Sequence, residues 1–367
     1  MSLMQTTLAT VAAEEQMQNL TGPELYQAWQ QLKQTHPRLR ARDVAETLGV
    51  TEAELVASRL GVDTVRLRPQ WKTLLPALAG LGKIMALTRN QDCVHERKGV
   101  YRETSIMPNE KMGLVVSADI DLRLFLSGWS SVFAIAEATA QGVQRSIQFF
   151  DHQGVAVHKV FLTEDSDVVA WERLIHDFTA AEQTAELQLK PKPPAVVELP
   201  DTQIDQDRLQ QKWSELKDTH HFYALLQKHQ VTRTQALRLA GSQWAEELPV
   251  EAIAQVFERA AEQQVPIMVF VSNRHCVQIH SGPVSNLRWV GDWFNVLDPE
   301  FNLHLKVNAI KQLWRVRKPS TDGLITSWEA FDSAGNLIVQ LFGARKPGIP
   351  ELASWRAIAE QTPALEA

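Results

Sequence analysis

Cysteine is almost absent from this chain of 367 residues, which contains only Cys93 and Cys276. Two cysteines do not make a disulfide framework, so the sequence predicts a protein of a reducing compartment. No apolar run approaches the roughly 18 residues that a membrane-spanning helix needs. The first residues lack the basic start of a signal peptide and carry Glu14 and Glu15. We therefore expect a cytoplasmic protein without membrane insertion.

The common catalytic and nucleotide-binding motifs are missing as well. The chain has no GxxxxGKS/T loop, no GxGxxG after a strand, no HExxH, no GxSxG and no paired CxxC. It also lacks CxxCH, which excludes covalent attachment of a c-type haem. The net charge of −6 argues against nucleic acid as the main partner. The remaining composition, 44% hydrophobic and 22% charged, is that of an ordinary globular protein with one large or two medium domains.

What the chain does contain is an internal repeat. "WQQLKQTH", which ends at His36, matches "WSELKDTH", which ends at His220. Three further blocks follow in the same order: "NQDCVHERKG" matches "NRHCVQIHSG", "LRLFL" matches "LHLKV", and "FDHQGVAVHKVF" matches "FDSAGNLIVQLF". All four pairs are separated by 181 to 184 residues. Collinear matches at a nearly constant offset indicate a duplicated unit.

The repeat predicts the domain organisation. The segment "LQLKPKPPAVVELPDTQ" contains four prolines and little periodicity, as expected of an extended linker. We therefore expect a tail at 1–20, an N-terminal repeat at 21–186, a Pro-containing linker at 187–204 and a C-terminal repeat at 205–367.

Each half reads as helix-rich first and strand-rich later. Leu25, Ala28, Trp29 and Leu32 recur at helical spacing, and "ARDVAETLGVTEAELVASRLG" predicts two short helices interrupted at Gly49. After about residue 83, segments such as "KIMALTRN" and "LIVQLFG" are strand-like, and the Gly-containing turns in "FDHQGVA" and "FDSAGNL" predict hairpins. The sequence therefore predicts an α+β fold, an internal duplication in which each half has a helical segment and a large antiparallel sheet with packed helices.

His220 is the first candidate for chemistry. It precedes the aromatic helical run "HFYALLQKH" and allows two interpretations, a surface or capping histidine or an axial ligand to a metal, since neutral imidazole is the commonest protein ligand for iron and zinc. Its duplicate His36 is followed by Pro37, which disfavours helix there and removes a backbone donor. The two copies should therefore present the same side chain differently.

Arg123 and Phe125 should share one face of the strand "DLRLFL". This face is either an ordinary solvated surface or the lining of a cavity for a flat, anionic ligand. The duplicate strand "FNLHLKV" keeps a polar face with Asn302, His304 and Lys306, which favours a wet or ligand-filled space.

Three further cations have weaker signals. Lys318 alternates with Trp314 on an apolar strand face, where a lysine either extends outward to solvent or neutralises a bound carboxylate. Arg233 and Arg345 lie in loops or at element ends, where a solvated surface is the simpler interpretation. Cys93 and Cys276 are expected to be small buried residues on equivalent strands, and His95 shares the strand of Cys93.

The chain resembles a known family, the cytoplasmic hemin-transport and hemin-degrading proteins of the HemS/ChuS/PhuS type. The resemblance rests on "ARDVAETLGVTEAEL", "VHERKGV", "DLRLFLSGWSSVF", "RSIQFFDHQG" and "KVFLTEDSDVVAW" in the first half. In the second half it rests on "MVFVSNRHCVQI", "FNLHL", "VRKPSTDG" and "TSWEAFDSAGNLIVQLFG". It covers nearly the whole chain except about the first twenty residues.

The resemblance implies one noncovalent haem b in a cleft between a face of the C-terminal half and N-terminal elements. The proximal ligand of the family falls on His220, with neighbouring His221 as a substitute, and the distal arginine falls on Arg123. Residues that contact haem in relatives, either cations or aromatic rings, fall on Phe125, Arg233, Phe270, Lys318 and Arg345. A tyrosine of some relatives is replaced by Phe342, so its hydroxyl is absent. A second-site candidate falls on His95.

Two functions are consistent with the resemblance. In one, the protein accepts imported hemin and passes it on for iron use. In the other, it degrades haem as a haem oxygenase-like oxidoreductase, with dioxygen and an external reductant. The implied partners are an inner-membrane haem ABC importer, a haem oxygenase or an electron-donor reductase, and the protein is expected to be a monomer or dimer. A storage or regulatory role is the weaker third interpretation.

Overall fold

The computed structural model describes residues 22–37, 39–194, 196–346 and 348–365. The predicted tail at 1–20 lies outside these residues. No helix in the described ranges is long and apolar enough to cross a membrane.

Helices begin each half, as the sequence predicts. Those of the first half are α1 Gly22–Thr35, α2 Ala41–Thr47, α3 Glu52–Ala57, α4 Trp71–Ala77 and α5 Val168–Phe178. Those of the second half are α6 Gln206–Ser214, α7 His221–His229, α8 Arg233–Leu239, α9 Ala252–Glu262 and α10 Ala353–Glu360. The duplicated helices α3 and α8 start alike, because Thr51 accepts a hydrogen bond from the Glu54 N–H and Thr232 accepts one from the Gln235 N–H.

Eighteen strands are assigned in the described ranges. The first nine are β1 Thr64–Leu67, β2 Gly82–Arg89, β3 Cys93–Gly99, β4 Thr104–Ile106, β5 Gly113–Val116, β6 Asp121–Leu124, β7 Trp129–Thr139, β8 Gly142–Asp151 and β9 Ala156–Ser166. The second nine are β10 Ala245–Leu248, β11 Ile267–Ser272, β12 Cys276–Gly282, β13 Leu287–Val290, β14 Trp293–Leu297, β15 Phe301–Lys306, β16 Gln312–Ser320, β17 Gly323–Phe331 and β18 Leu337–Gly343. The predicted hairpins are confirmed as β8–β9 and β17–β18.

The strands form two antiparallel nine-stranded sheets, which confirms the predicted α+β class. Sheet A has the order β1-β7-β8-β9-β2-β3-β15-β14-β13, and sheet B has the order β10-β16-β17-β18-β11-β12-β6-β5-β4. Each sheet therefore takes six strands from one half and three from the other. The sequence does not indicate this exchange of three strands between the halves. Period-two alternation shows which face of a sheet a residue occupies, but not which strand lies beside it.

The join between the halves is held by a reciprocal pair of asparagines. Asn90 donates to the carbonyls of Ser272 at 3.1 Å and Ile338 at 2.7 Å. Its duplicate Asn273 donates to the carbonyls of Arg89 at 3.1 Å and Val157 at 2.7 Å. Each half thus satisfies backbone groups of the other, as expected of two copies related by a pseudo-twofold axis. The domain boundaries at 187–204 stay a prediction, since the halves share both sheets.

The hydrophobic core is also shared. Cys93, from the first half, is buried in the core of the second half, and Cys276 is buried in the core of the first. Both thiols are free, as the sequence predicts.

Three buried histidines lie in the interior. His158 contacts the Tyr101 hydroxyl at 2.6 Å and the Thr88 hydroxyl at 2.9 Å. The His280 ring stacks on Phe301 with ring centroids 3.8 Å apart, and the His95 ring lies 4.9 Å from the same phenylalanine. Burial lowers the pKa of all three, to about 3 for His158, to about 4 for His280 and well below the usual value for His95.

Candidate functional site

One face of sheet B brings several predicted residues onto a common floor. Side chains directly opposite each other in register share a face, and one row runs Glu329, Gln340, Phe270, Ile279, Asp121 across β17, β18, β11, β12 and β6. The row spans four strand spacings, roughly 19 Å. It therefore provides a broad, flat surface that joins strands of both halves.

The middle of this face is open to solvent. Its half-exposed members are Met268, Phe270, Ser272, Val277, Gln340 and Phe342. The rings of Phe270 and Phe342 are 5.0 Å apart between centroids and form an apolar patch. Aromatic side chains with a few convergent polar groups around them are typical of a ligand site.

Helices α6, α7 and α8 form the wall at the β16–β17 end of the floor. Trp213 and Phe222 pack edge to face, with centroids 4.7 Å apart, in a cluster that also contains Trp314 and Val316 of β16. This packing fixes the start of α7 next to the open floor. His220 immediately precedes α7, and its side chain is 84% exposed, so its ring is available to a ligand.

Asp218 holds the His220 ring. Its Oδ1 accepts hydrogen bonds from the His220 backbone N–H at 2.8 Å and contacts His220 Nδ1 at 2.6 Å. The hydrogen bond from the His220 backbone N–H is the largest cause of the lowered pKa of Asp218, so the carboxylate is ionised at neutral pH. His221 follows at the first position of α7, where its N–H donates to the Asp218 carbonyl at 3.0 Å.

Arg233 and Lys318 meet at a buried carboxylate that the sequence analysis did not single out. Glu329 is fully buried and accepts from Arg233 Nε at 2.7 Å, Arg233 Nη2 at 2.9 Å and Lys318 Nζ at 2.6 Å. Burial alone would raise the pKa of Glu329, but the charges of Arg233 and Lys318 outweigh it and lower that pKa. Both cations also lie over the Phe222 ring, with Lys318 Nζ 4.5 Å and Arg233 Cζ 5.2 Å from its centroid.

This triad carries a net positive charge at the helical end of the floor. Lys318 is only 3% exposed at its side chain and Arg233 is 28% exposed. Arg233 is therefore the better placed of the two to reach a carboxylate in the cleft, whereas Lys318 acts on the cleft through the electrostatic field of the triad.

Replacing Glu329 by glutamine should destabilise the protein by about 3 kcal/mol, because it leaves the buried Lys318 and the partly buried Arg233 without a counter-charge. Urea unfolding at pH 7.5 measures the change in free energy of unfolding. Glu300→Gln is the matched control, since Glu300 accepts from Lys83 in an exposed pair 2.9 Å long and should cost less than about 1 kcal/mol. Equal losses in both variants would show that the triad is not a buried network.

The opposite end of the floor carries Arg123 and Phe125. Arg123 pairs in register with Val277, which places its side chain on the floor side, as its strand alternation predicts. It donates to Asp121 and, at 3.2 Å, to the Leu122 carbonyl. Phe125 follows the strand, half-exposed, and its N–H donates to the His275 carbonyl at 3.0 Å. An arginine and a ring from the first half thus complete a cleft built on the second.

Arg345 lies beyond the end of β18, on the rim of the same face. Its Nη2 donates to Asp322 at 2.8 Å, in the turn between β16 and β17. Phe342 offers its ring to the floor and no hydroxyl, as the sequence indicates.

His95 is not brought to a cleft. Its ring is fully buried, and neither ring nitrogen has a hydrogen-bond partner among the described residues. A ligand role for His95 would require the ring to leave the core.

The neighbours of His95 on β3, Val94 and Glu96, face the other way and line a cavity on sheet A. This cavity has a volume of about 690 Å³ and is also lined by His304 and Lys306.

This cavity is the counterpart, in the first half, of the cleft on sheet B. Arg89 and Lys159 line it and pair with the buried Glu52, at 2.6 Å and 3.5 Å, so a second Arg–Glu–Lys triad is present. His36, the duplicate of His220, is not among the lining residues, and its Nδ1 contacts the Thr35 hydroxyl at 2.9 Å. The residues of this triad are not the duplicates of Arg233, Lys318 and Glu329, since Glu52 aligns with Arg233 in the repeat. The two copies therefore share the sheet face and an Arg–Glu–Lys triad, but neither the triad positions nor the imidazole.

The cleft on sheet B suits haem chemically. Haem is a large apolar disc with two carboxylates, and it needs an imidazole for iron, aromatic walls and cations. His220 supplies an exposed imidazole, Phe270 and Phe342 supply an open aromatic floor, and Arg123, Arg233 and Arg345 are cations around it. Asp218 and Glu329 were not identified as site residues from the sequence. For Asp218, the only signal was the difference between the two octapeptides, since Gln34 occupies the equivalent position in the first copy.

Known proteins share this architecture and much of the sequence. The family model described as haemin-degrading HemS.ChuX domain matches residues 49–178 and 230–362. Hemin transport protein HmuS of Yersinia pestis is 42% identical over 334 residues, which cover 90% of this chain and 95% of that protein.

Solved structures agree with these matches. Holo-PhuS, a heme-binding protein from Pseudomonas aeruginosa, superposes with a TM-score of 0.92 at 66% identity and covers 93% of this chain and 99% of its own. ChuS, an E. coli heme oxygenase, gives a TM-score of 0.82 at 39% identity and covers 91% of this chain and 98% of its own. The chain therefore belongs to the haemin-degrading HemS.ChuX domain family.

Proposed function

We propose that this protein binds one haem in the cleft on sheet B, with His220 as the axial ligand, and carries imported hemin within a bacterial cytoplasm for iron use. The observation that carries the proposal is the exposed imidazole of His220 at the start of α7. The Phe222 ring of this helix packs over Lys318, on the face of sheet B that also carries Phe270 and Phe342. The hemin-transport names of the 42% identical relative and of its homologue support the carrier role. The expected source of haem is an inner-membrane ABC importer.

Different residues of the cleft would contact different parts of the ligand. The His220 ring would supply the bond to iron, and Phe270 and Phe342 would exclude water from the apolar part of the ligand. Arg233 and Arg345 attract the carboxylates, Lys318 adds to this field through Glu329, and His221 is the substitute ligand. Arg123 lies on this face of sheet B with Phe125 just beyond its strand, and its guanidinium would donate hydrogen bonds to an oxygen atom held beside the haem.

A second candidate function is haem degradation. Arg123 favours it, because a guanidinium on the distal side can orient bound oxygen, and a relative with 39% identity is a heme oxygenase. The haem would then be the substrate and Arg123 the catalytic residue. Electrons would come from a separate reductase.

One assay separates the two functions. The purified hemin complex is given a reductase and NADPH, with catalase present to remove peroxide that destroys haem without catalysis. A carrier keeps its Soret band and passes haem to an added haem oxygenase. Loss of the Soret band with release of a linear tetrapyrrole, abolished in Arg123→Ala, would instead identify the enzyme.

A further inference from the structure

The hydrogen bond between Asp218 and His220 determines which ring nitrogen faces the ligand. A carboxylate that is ionised can only accept hydrogen bonds, so the 2.6 Å contact from Asp218 Oδ1 to His220 Nδ1 requires the proton on Nδ1. Nε2 then carries the free lone pair. An isolated neutral histidine can hold its proton on either nitrogen, and only one of the two forms is ready to bind iron through Nε2.

The same oxygen also fixes the direction of the ring. Asp218 Oδ1 accepts the His220 backbone N–H at 2.8 Å as well as the ring, so ring and backbone are bound to one atom. The loop itself is anchored on both sides of this point. The Thr321 N–H donates to the Lys217 carbonyl at 3.0 Å, and the His221 N–H donates to the Asp218 carbonyl at 3.0 Å.

The first copy of the repeat has no carboxylate at the position equivalent to Asp218. Gln34 occupies the position of Asp218 in the duplicated octapeptide. The His36 Nδ1 instead contacts the Thr35 hydroxyl at 2.9 Å, and a hydroxyl can donate or accept, so the proton of His36 is not assigned to either nitrogen. The acid at position 218 and its ring contact therefore distinguish the copy that presents a ligand from the copy that does not.

We propose that Asp218 is a positioning residue for haem: it holds His220 as the Nδ1–H tautomer with Nε2 directed outward, and it strengthens the bond from Nε2 to iron. The carboxylate draws the Nδ1 proton and so makes Nε2 a better electron donor, which is the usual effect of a carboxylate behind a metal-bound histidine. The strengthening of the iron bond rests on the proposed function, whereas the tautomer is a property of the protein without haem.

The first experiment uses the full chain without haem. Ring ¹⁵N–¹H correlation spectra at pH 8, assigned with His220→Ala, report the tautomer of His220. The wild type should be mainly the Nδ1–H form, and Asp218→Ala should shift the population toward Nε2–H. Glu215→Gln is the matched control, because Glu215 is a nearby exposed carboxylate bound to Lys212 at 2.6 Å, and it should leave the spectrum unchanged. An unchanged tautomer in Asp218→Ala overturns the proposal.

The second experiment uses the hemin complex. Asp218→Ala and Asp218→Asn should lower the iron–histidine stretching frequency of the reduced complex in resonance Raman spectra, and should weaken hemin binding about 10-fold to 100-fold. Asp218→Glu should recover part of both. An unchanged stretching frequency overturns the strengthening of the iron bond. If the double variant His220→Ala/His221→Ala leaves the hemin spectrum unaltered, the proposed ligand is wrong, whatever the tautomer result.

Discussion

His220→Ala should weaken hemin binding on the order of 100-fold or more and shift the Soret band. The ring supplies the bond to iron, and removing a ligand costs more than the 10-fold to 100-fold loss typical of its outer-shell partners. Its 84% exposed side chain packs against little else, so the fold should survive the substitution. Absorbance titration with hemin, together with circular dichroism, measures both effects.

The duplication offers the control for this experiment. His36→Ala alters the equivalent residue of the first copy, which does not line the cavity on sheet A, and should leave hemin binding unchanged. If His220→Ala keeps most of its affinity, His221 has replaced it, and the double variant should then lose binding. A double variant with the wild-type spectrum would contradict the ligand assignment.

The protein should lose about 4 kcal/mol of its free energy of unfolding between pH 7.5 and pH 5 through two buried histidines. His158 has a pKa of about 3 and His280 a pKa of about 4 in the folded chain, against about 6.5 when unfolded. Below pH 6.5 the unfolded chain therefore binds more protons, and stability falls as the pH falls. Each histidine contributes about 2 kcal/mol at pH 5, and His95 adds to the effect in the same direction.

Urea unfolding at the two pH values tests this pH dependence. Carboxylates of ordinary pKa, about 4, titrate mostly below pH 5, so the window between pH 6.5 and pH 5 reports mainly on histidines. His158→Asn should be less stable at pH 7.5 but less sensitive to pH. His176→Asn, at a side chain 88% exposed, should behave as the wild type does. Equal stability of the wild type at both pH values would show that these rings are not buried as described.

The fold class was predictable because its signals are local. The Gly-containing turns at "FDHQGVA" and "FDSAGNL" and the strand alternation around Arg123 were read correctly, and the collinear repeats indicated two similar halves. The exchange of β4–β6 and β13–β15 between the sheets was not predictable. It depends on pairings such as Arg123 with Val277, between residues more than 150 positions apart in the sequence.

The site was predictable only in part, for a related reason. His220 and Arg123 were candidates from the residues, each with two interpretations, and the resemblance favoured a haem site, whereas Phe270 and Phe342 came from the resemblance alone. The structure adds that Arg123, Phe270 and Phe342 lie on one face of sheet B. The pairing of Arg233 and Lys318 with Glu329 needs the register of β16 with β17 and the docking of α8, neither of which the residues alone indicate. His95 shows the opposite case, since the ring that the resemblance implied as a second-site candidate lies fully inside the core.

The crystal structure of the hemin complex, with iron located by its anomalous scattering, is the most direct test of the central claim. That claim is that duplication built two similar clefts and that only the second copy retained the iron ligand. We expect one iron atom per chain, bonded to His220 Nε2 above the Phe270 and Phe342 floor. An iron atom in the cavity on sheet A, or one on sheet B without a bond to His220 or His221, would contradict it.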